Sequence, residues 1–291
     1  MHDERWLSER FEEHRTRLRS VAYRMLGSLS DADDAVQEAW IRLSRSDTAA
    51  VENLGGWLTT VVGRICLSML SSRQIRREEA LDVHGLEPII GPPGDIDPEH
   101  EAFVADSVGL ALLVVLETLT PAERLAFVLH DVFSVPFDEI APMVDRSPEA
   151  ARQLASRARR RVRSAAPEPD SGVAAQREVV DAFFAAARSG DFDRLVAVLH
   201  PDIVLRTNFG VRGAPTISGA ADVAGQALRF SNVDREARPA TINGAAGAVV
   251  FADDRPVTVM GFTVVDGRVA AIDVFDDPER LGQLDFSALS A

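Results

Sequence analysis

The chain has no lysine: arginine fills all 31 of its Lys/Arg positions. Schiff-base catalysis, a Walker-type phosphate lysine and a Ser-Lys dyad are excluded by that count alone. Cys66 is the only cysteine, so neither an intrachain disulfide nor a multi-cysteine zinc or iron–sulfur site can form, and a reducing cytoplasm is the expected setting. Neither a metal site nor a cofactor is expected. Long hydrophobic runs are also scarce. The longest, Val108 to Leu116, is far shorter than the ~20 residues that span a bilayer. Met1-His2-Asp3-Glu4-Arg5 is charged and has no apolar core behind it, unlike a secretory signal. A soluble cytoplasmic protein with no membrane partner is expected. Positive charge is in deficit: the net charge is −14, with −7 in each of residues 1–166 and 167–291. That average argues against unspecific attraction to nucleic acid, unless a basic stripe is concealed within it.

At ~100–200 residues per domain, 291 residues suggest two domains or three small ones. Residues 6–26 place Trp6, Leu7, Phe11, Leu18, Val21, Met25 and Leu26 at helical spacing, with Gly27 where a C-cap is expected. A second helix from Ser30 carries the stripe Ala32, Ala35, Val36, Ala39, Trp40 and Leu43, leaving acids on its other face. A third, from about Trp57 to Arg77, turns Leu58, Val61, Ile65 and Met69 inward. From Glu78 to Asp106 there are nine acids and no arginine, and residues 82–100 carry four prolines and three glycines. That is the composition of an extended linker. Helices near 102–118 and 121–133 follow, then a short pair at 136–144 and 147–164. The last third has helices near 174–189 and 191–199. It then becomes β-rich at Ile203–Arg206, Ala248–Phe251, Val257–Val265 and Val269–Phe275, with hairpin turns expected at Asp253-Asp254 and Asp266-Gly267.

The concealed basic stripe lies between Arg146 and Arg163. Arginines 146, 152, 157, 159, 160, 161 and 163 face the single acid Glu149, a local charge of +6. Ser147 is a plausible N-cap with Pro148 at the first helical position. At 100° per residue Ala151, Leu154, Ala155, Ala158 and Val162 share one face. Arg152, Gln153, Ser156, Arg160 and Arg163 share the other. The preceding helix, Phe137 to Val144, and the Asp145-Arg146 joint suit a helix-turn-helix whose second helix enters the major groove. Arg and Gln can pair bidentately with guanine and adenine edges while flanking arginines hold phosphates. A solvated arginine-rich helix, or one binding an acidic protein face, is the plainer alternative.

Asp31-Ala32-Asp33-Asp34-Ala35-Val36-Gln37-Glu38-Ala39-Trp40 resembles region 2 of sigma-70-type factors of the extracytoplasmic-function class. Leu119-Thr120-Pro121-Ala122-Glu123-Arg124, followed by the helix-turn-helix and Ala155-Ser156-Arg157-Ala158-Arg159-Arg160, resembles their region 4. From near Val173 the chain resembles the SnoaL-like branch of the NTF2-like fold, which a subgroup of these sigma factors carries. The resemblance implies two all-α sigma domains, a region 2 bundle over 1–80 and a region 4 helix-turn-helix domain over 102–166, joined by a linker over 81–101. An α+β NTF2-like cone over 173–291 follows. The implied partners are RNA polymerase core, through its β′ clamp helices and β flap, and promoter DNA. Asp31, Asp34, Gln37, Glu38 and Arg42 are implied to hold core enzyme. Asn53, Trp57, Arg64, Arg73, Arg76 and Arg77 are implied to read the −10 element, and Arg152, Gln153, Ser156, Arg157, Arg160 and Arg163 the −35 element.

In that subgroup the linker and extension carry regulatory motifs. Leu86-Glu87-Pro88, Asn208 to Arg212 and Asp277-Pro278-Glu279-Arg280-Leu281 are similar to them, which makes Asn208, Arg212, Asp277, Pro278, Glu279, Arg280 and Leu281 the regulatory candidates. Prolines and turn residues depart from the pattern at Pro142, inside the first helix of the helix-turn-helix, and at Asp145, where glycine is common. His200, Asp202, Arg206, Asn208 and Asp273 are the polar residues near expected strands that would line a cone. No acid–base pair at diagnostic spacing stands out among them, so no catalytic residue is expected. Whether a small ligand enters the cone is left open. Two other readings remain: a one-component helix-turn-helix regulator with a ligand-sensing domain, which would not need the segment 31–40, and a polyketide-cyclase-like enzyme tethered to DNA.

Overall fold

The computed structural model describes residues 2–46, 53–78, 86–93, 109–165, 169–170, 172–207, 216–231 and 235–289. The chain divides into two compact units. The first joins residues 1–86 to 115–164, and the second joins 87–114 to 165–291.

The first unit begins with α1 (His2–Leu26), α2 (Leu29–Ser44) and α3 (Leu54–Glu78). Gly27 ends α1 at φ +77°, with Leu86 packed so closely that a Cβ there would lie 2.3 Å from its Cδ2. Ser28 caps α2 by accepting the Asp31 N–H at 3.2 Å. The buried face of α2 is Ala32, Ala35, Val36, Ala39 and Leu43, the stripe expected from spacing, while Trp40 leans on Phe11 with ring centroids 5.1 Å apart. On α3 the buried residues are Leu58, Val62, Ile65 and Cys66, and Val61 and Met69 are only half-buried. The expected face is rotated because α3 is packed on two sides: Gly63 meets Met143, Leu125 and Leu129 of the following helical segment. By length and composition Leu54–Gln74 could also cross a bilayer, but it is a packed core helix.

The first unit resumes within α4 (Leu110–Leu116). Next is α5 (Pro121–Phe127), which opens on a reciprocal box between Thr120 and Glu123 and runs into a π-helical turn, Val128–Val132. α6 is a single turn, Phe137–Ile140, and continues as a 3₁₀ turn at Ala141–Met143. Pro142 has no N–H to continue the α-helical ladder, which accounts for the change. Asp145 takes the left-handed position at φ +51°, a conformation that Asp tolerates better than most residues. α7 (Pro148–Ala165) completes the helix-turn-helix.

Three buried arginines tie these helices together. Arg73 donates to Leu26 O at 3.0 Å and Arg124 to Arg24 O at 3.0 Å. Both carbonyls belong to the last turn of α1, which lacks intrahelical donors and carries the negative end of the helix dipole. Arg124 also pairs with Glu117 at 2.6 Å, and Arg24 lies over the Phe133 ring at 4.9 Å.

The second unit is a curved sheet with helices against one face. Its elements are β1 (Ile90–Gly91), α8 (Val173–Ser189), α9 (Phe192–Val198), β2 (Leu199–Thr207), β3 (Thr216–Ser218), α10 (Ala220–Ser231), β4 (Glu236–Ile242), β5 (Ala245–Ala252), β6 (Arg255–Val265), β7 (Arg268–Phe275) and α11 (Pro278–Leu281). The strand order is β1-β4-β5-β6-β7-β2-β3, with β2 parallel to β7. Left-handed pairs at Asn243-Gly244, Asp253-Asp254 and Asp266-Gly267 make the three tight hairpins. The core joins Val180, Phe183, Leu195, Leu199, Ile203, Val223, Phe262, Val264, Val269 and Ile272. On the other sheet face Leu110 sits so close to Gly261 that a Cβ there would be 2.7 Å from its Cδ2. Ile90 and Gly91, from between the two sigma segments, pair antiparallel with Ile242 and Thr241. The Ile89 N–H also bonds the Asn243 side chain at 3.1 Å.

Candidate nucleic-acid and polymerase interface

α7 owes its orientation to its alanines and to three of its own arginines. Ser147 caps it by accepting the Ala150 N–H at 3.3 Å. Ala151, Ala155 and Ala158 are fully buried, so this face of the helix is covered. Arg157 and Arg161 both donate to Glu123, at 3.1 and 3.0 Å, and Arg159 donates to Asp131 at 2.8 Å. Burial alone would push the Glu123 carboxyl up. Hydrogen bonds from the Thr120 N–H and hydroxyl, then Arg157 and Arg161, outweigh it and hold the group below its ordinary value. Glu123 is thus both the partner of the Thr120 cap at the start of α5 and the anchor of the basic helix, a role that sequence reading missed. The Thr120-x-x-Glu123 box was a readable signal for the first job only.

The outward face of α7 is what remains. Arg152, Gln153, Ser156, Arg157, Arg160 and Arg163 are all exposed. Arg157 commits its Nε to Glu123, and the Arg152 guanidinium lies over the Phe137 ring at 5.3 Å. Among the described residues no acid pairs with Arg160 or Arg163. The helix therefore presents a row of donors with an apolar back, an arrangement that can meet phosphates and base edges in a groove.

Region 2 candidates separate into two sets. Asp34, Gln37 and Arg42 are exposed on α2, and Glu38 pairs with Arg42 at 2.9 Å. Asp31 lies apart from them, half-buried and paired with Arg73. That pair corrects the expectation for Arg73: the residue is 7% exposed and its side chain is spent on Asp31 and Leu26 O, so it does not face a DNA strand. Asn53 is exposed, accepting the Gly56 N–H at 3.0 Å at the start of α3. Trp57 is half-buried, and exposed Arg64 reaches Pro142 O at 3.4 Å. Arg76 and Arg77 lie on the last turn of α3, with side chains outside the described residues.

In the second unit Asp277 caps α11 by accepting the Arg280 N–H at 3.0 Å, with Pro278 at the first position. Arg280 lies over the Phe275 ring at 4.4 Å, Leu281 is buried and Glu279 is exposed. Asn208 and Arg212 lie outside the described residues. A cavity of about 660 Å³ opens between the sheet and helices α8 and α10. Of the five polar residues expected there, none of the four described ones lines it. His200 and Asp202 form a corner, with the Asp202 N–H donating to His200 Nδ1 at 3.2 Å. Leu205 and Thr207 line the cavity, so strand alternation turns Arg206 to the opposite sheet face, where it pairs with buried Asp273 at 2.7 Å. Burial raises the Asp273 carboxyl, and Arg206 only partly opposes it.

Comparison with known proteins defines the class. Residues 10–76 match the sigma-70 region 2 family and 109–162 the sigma-70 region 4 family. The chain is 40% identical to the ECF RNA polymerase sigma factor SigJ of Mycobacterium tuberculosis, covering 91% of this chain and 87% of that one. It is 32% identical to the probable ECF sigma factor SigI of the same species, covering 96% of each. The crystal structure of SigJ superposes with a TM-score of 0.72 at 34% identity over 95% of this chain and 99% of that one. Region 2 and region 4 in one chain define a sigma-70-type factor. The chain belongs to the extracytoplasmic-function family of RNA polymerase sigma factors, and it is a transcription initiation factor whose C-terminal unit is a mixed sheet with helices.

Proposed function

We propose that α2 docks on the β′ clamp helices of core polymerase through Asp34, Gln37, Glu38 and Arg42. In the same reading Asn53, Trp57, Arg64, Arg76 and Arg77 engage the −10 element, α7 reads the −35 element, and region 4 also contacts the β flap. The observation that carries it is the outward face of α7, six exposed polar residues backed by three buried alanines. Arg152, Gln153 and Ser156 near the helix start address base edges. Arg160 and Arg163 hold the backbone. Asp31 acts through Arg73, keeping α2 against α3. Initiation from a −35/−10 promoter library with core polymerase tests this. Arg152→Ala should relax sequence preference at −35, whereas Arg163→Ala should weaken binding evenly and reduce the salt slope by about one. Equal discrimination in both variants would refute the face assignment.

The second part of the proposal is that the C-terminal unit regulates the sigma segments without chemistry of its own, by retaining the chain between them. Its support is the pairing of Ile90 and Gly91 with β4. In the first unit the two DNA readers pack together, Gly63 against Met143. A unit of 136 residues has a radius of gyration of about 14 Å. Promoter elements named for positions 25 base pairs apart lie roughly 85 Å apart at ~3.4 Å per step. The packed form must therefore open before both are read, and holding the connecting segment limits that opening. Ile90→Asp, which disfavours the edge pairing, should at least double promoter-dependent transcription with core enzyme. Unchanged transcription, with faster amide exchange at Gly91 proving release, would sink the regulatory reading.

A further inference from the structure

The π-helical turn Val128–Val132 holds α7 at two points. Its Asp131 accepts from Arg159 at 2.8 Å. The residue before it, His130, reaches Arg152 through an intermediary. His130 and Phe137 are stacked, with ring centroids 3.8 Å apart and planes 28° from parallel. The Arg152 guanidinium carbon lies over the same Phe137 ring, 5.3 Å from its centroid. Seven residues separate Arg152 from Arg159, about two helical turns, so both lie along one side of α7.

The local sequence delivers this stack. The Phe133 N–H bonds Val128 O at 3.2 Å across the π turn, and Ser134 then takes the left-handed conformation at φ +57°. The Ser134 N–H returns to His130 O at 3.1 Å and the Val135 N–H to Leu129 O at 2.8 Å, which folds the loop back on the turn. His130 Nδ1 meets Val135 O at 3.0 Å. A carbonyl oxygen only accepts, so Nδ1 carries the hydrogen and the imidazole is fixed in orientation. Phe137 follows two residues later as the first residue of α6, and closure of the loop sets its ring against the imidazole.

Arg152 is held differently from its neighbours on α7. Arg157, Arg159 and Arg161 give N–H donors to carboxylates. Among the described residues no carboxylate pairs with Arg152. Glu149, one turn earlier, is held below its ordinary value first by its own N–H and the Ser147 hydroxyl, and only last by the charge of Arg152. A π face attracts the guanidinium as a whole and leaves its fork of donors free to pair with a guanine edge. Immobilising a rotamer-rich side chain on binding costs roughly two- to tenfold in affinity. An arginine already held on a ring loses less of its freedom when it docks.

We propose that Phe137, steadied by His130, is a positioning residue for promoter reading: it holds Arg152 at the start of α7 and thereby sets base preference at the −35 element. This role rests on α7 being the −35 reader. The test uses full-length protein with core polymerase on a −35 library and reads discrimination at the base pair that Arg152→Ala relaxes. Phe137→Leu keeps apolar bulk and removes the ring. It should lower that discrimination about threefold and leave the salt slope unchanged. Phe137→Tyr keeps the ring and should stay within about twofold of wild type. His130→Asn keeps a donor for Val135 O and loses the stacked ring, so it should shift discrimination in the same direction as Phe137→Leu; wild-type behaviour would strike His130 from the role. In an Arg152→Ala background Phe137→Leu should add nothing at that base pair. Undiminished discrimination in Phe137→Leu, beside a loss in Arg152→Ala, would overturn the positioning role and leave the promoter reading intact. An even loss across all sequences, or a loss that persists without Arg152, would reduce Phe137 to packing and overturn it as well. No loss in Arg152→Ala would overturn the −35 reading and the positioning role with it.

Discussion

In the first unit buried guanidinium groups reach helix-end carbonyls: Arg73 at Leu26, Arg124 at Arg24. In the second, seven strands share a continuous ladder above an apolar core, and the buried Arg206–Asp273 pair lies on the sheet face away from that core. The difference has an energetic meaning. Hydrogen bonds to charged groups contribute about 1.5–3 kcal/mol each net of water, because water can replace the protein partner. Large apolar side chains removed from a core cost ~3–5 kcal/mol each, with no such replacement. A joint between helices made of arginine–carbonyl bonds can therefore part and re-form while each segment stays folded. In the second unit Arg177 of α8 makes the same kind of bond to Gly247 O at 2.6 Å and to Ala240 O, so such a seam lies between helix and sheet, while the strand ladder itself suits a fixed scaffold.

The largest expected effect strains the scaffold side of this contrast. Arg206→Met leaves Asp273 buried without its cation and should destabilise the second unit by about 3–5 kcal/mol in urea unfolding. Burial already raises the Asp273 carboxyl above its ordinary 3.8, and losing Arg206 raises it further. A raised carboxyl favours the folded state when protonated. The variant's deficit should thus be least below pH 3.8 and grow as pH rises through the folded value. A pH-independent deficit would contradict the buried-charge account.

Arg124→Met addresses the joint. It removes the donors to Arg24 O and Glu117, and should cost about 2–3 kcal/mol. By hydrogen exchange it should loosen the contact between α1 and α5 without unfolding α2. Global unfolding at the same denaturant concentration would mean the joint is not separable.

Glu123→Gln is smaller, about 1–2 kcal/mol, since Arg157 and Arg161 remain half in water. Glu123 is held below its ordinary 4.5, so its contribution is present above that pH and lost as pH falls through the folded value. The wild-type advantage in thermal melts should shrink below pH 4.5. An undiminished advantage at low pH would assign it to packing instead.

The smallest effect is a null one. Cys66 is fully buried and its thiol is pushed up to about 12, mainly by burial. A thiol reagent at pH 8 should label it only after unfolding, and rapid labelling of native protein would place it at a mobile seam.

What the sequence made legible follows from how local each signal is. The α2 stripe, the Ser147-Pro148 start of α7 and the turns at Asp253-Asp254 and Asp266-Gly267 depend on neighbours in the chain, and all were read correctly. β4 was not, because Pro239 breaks its β signal. The proline is tolerated because β1 pairs only with Thr241 and Ile242, leaving β4 an edge at Pro239. Once β4 was missed, the strong Asn243-Gly244 hairpin turn had no strand to join. The two residues of β1 carry no pattern at all. On the outward face of α7, exposure of Arg160 and Arg163 was predictable from helical phase. The burial of Arg73 was not, because it rests on Asp31, 42 positions away. The double use of Glu123 likewise depends on Arg157 and Arg161, 34 and 38 positions away.

The division between the units falls after Leu86, again inside α4 at Val114, and again after Ser164. The C-terminal unit is consequently not a tail that can be clipped off. A truncation at residue 172 would remove the sheet and strand the inserted segment: Ile89, Ile90, Leu110, Leu112 and Leu113, all buried in the full chain, would meet solvent. Loss of activity in such a truncated protein would report aggregation as readily as regulation. The two are separated by point changes at the β1–β4 pairing, or by an excision that also replaces residues 87–114 with a polar tether.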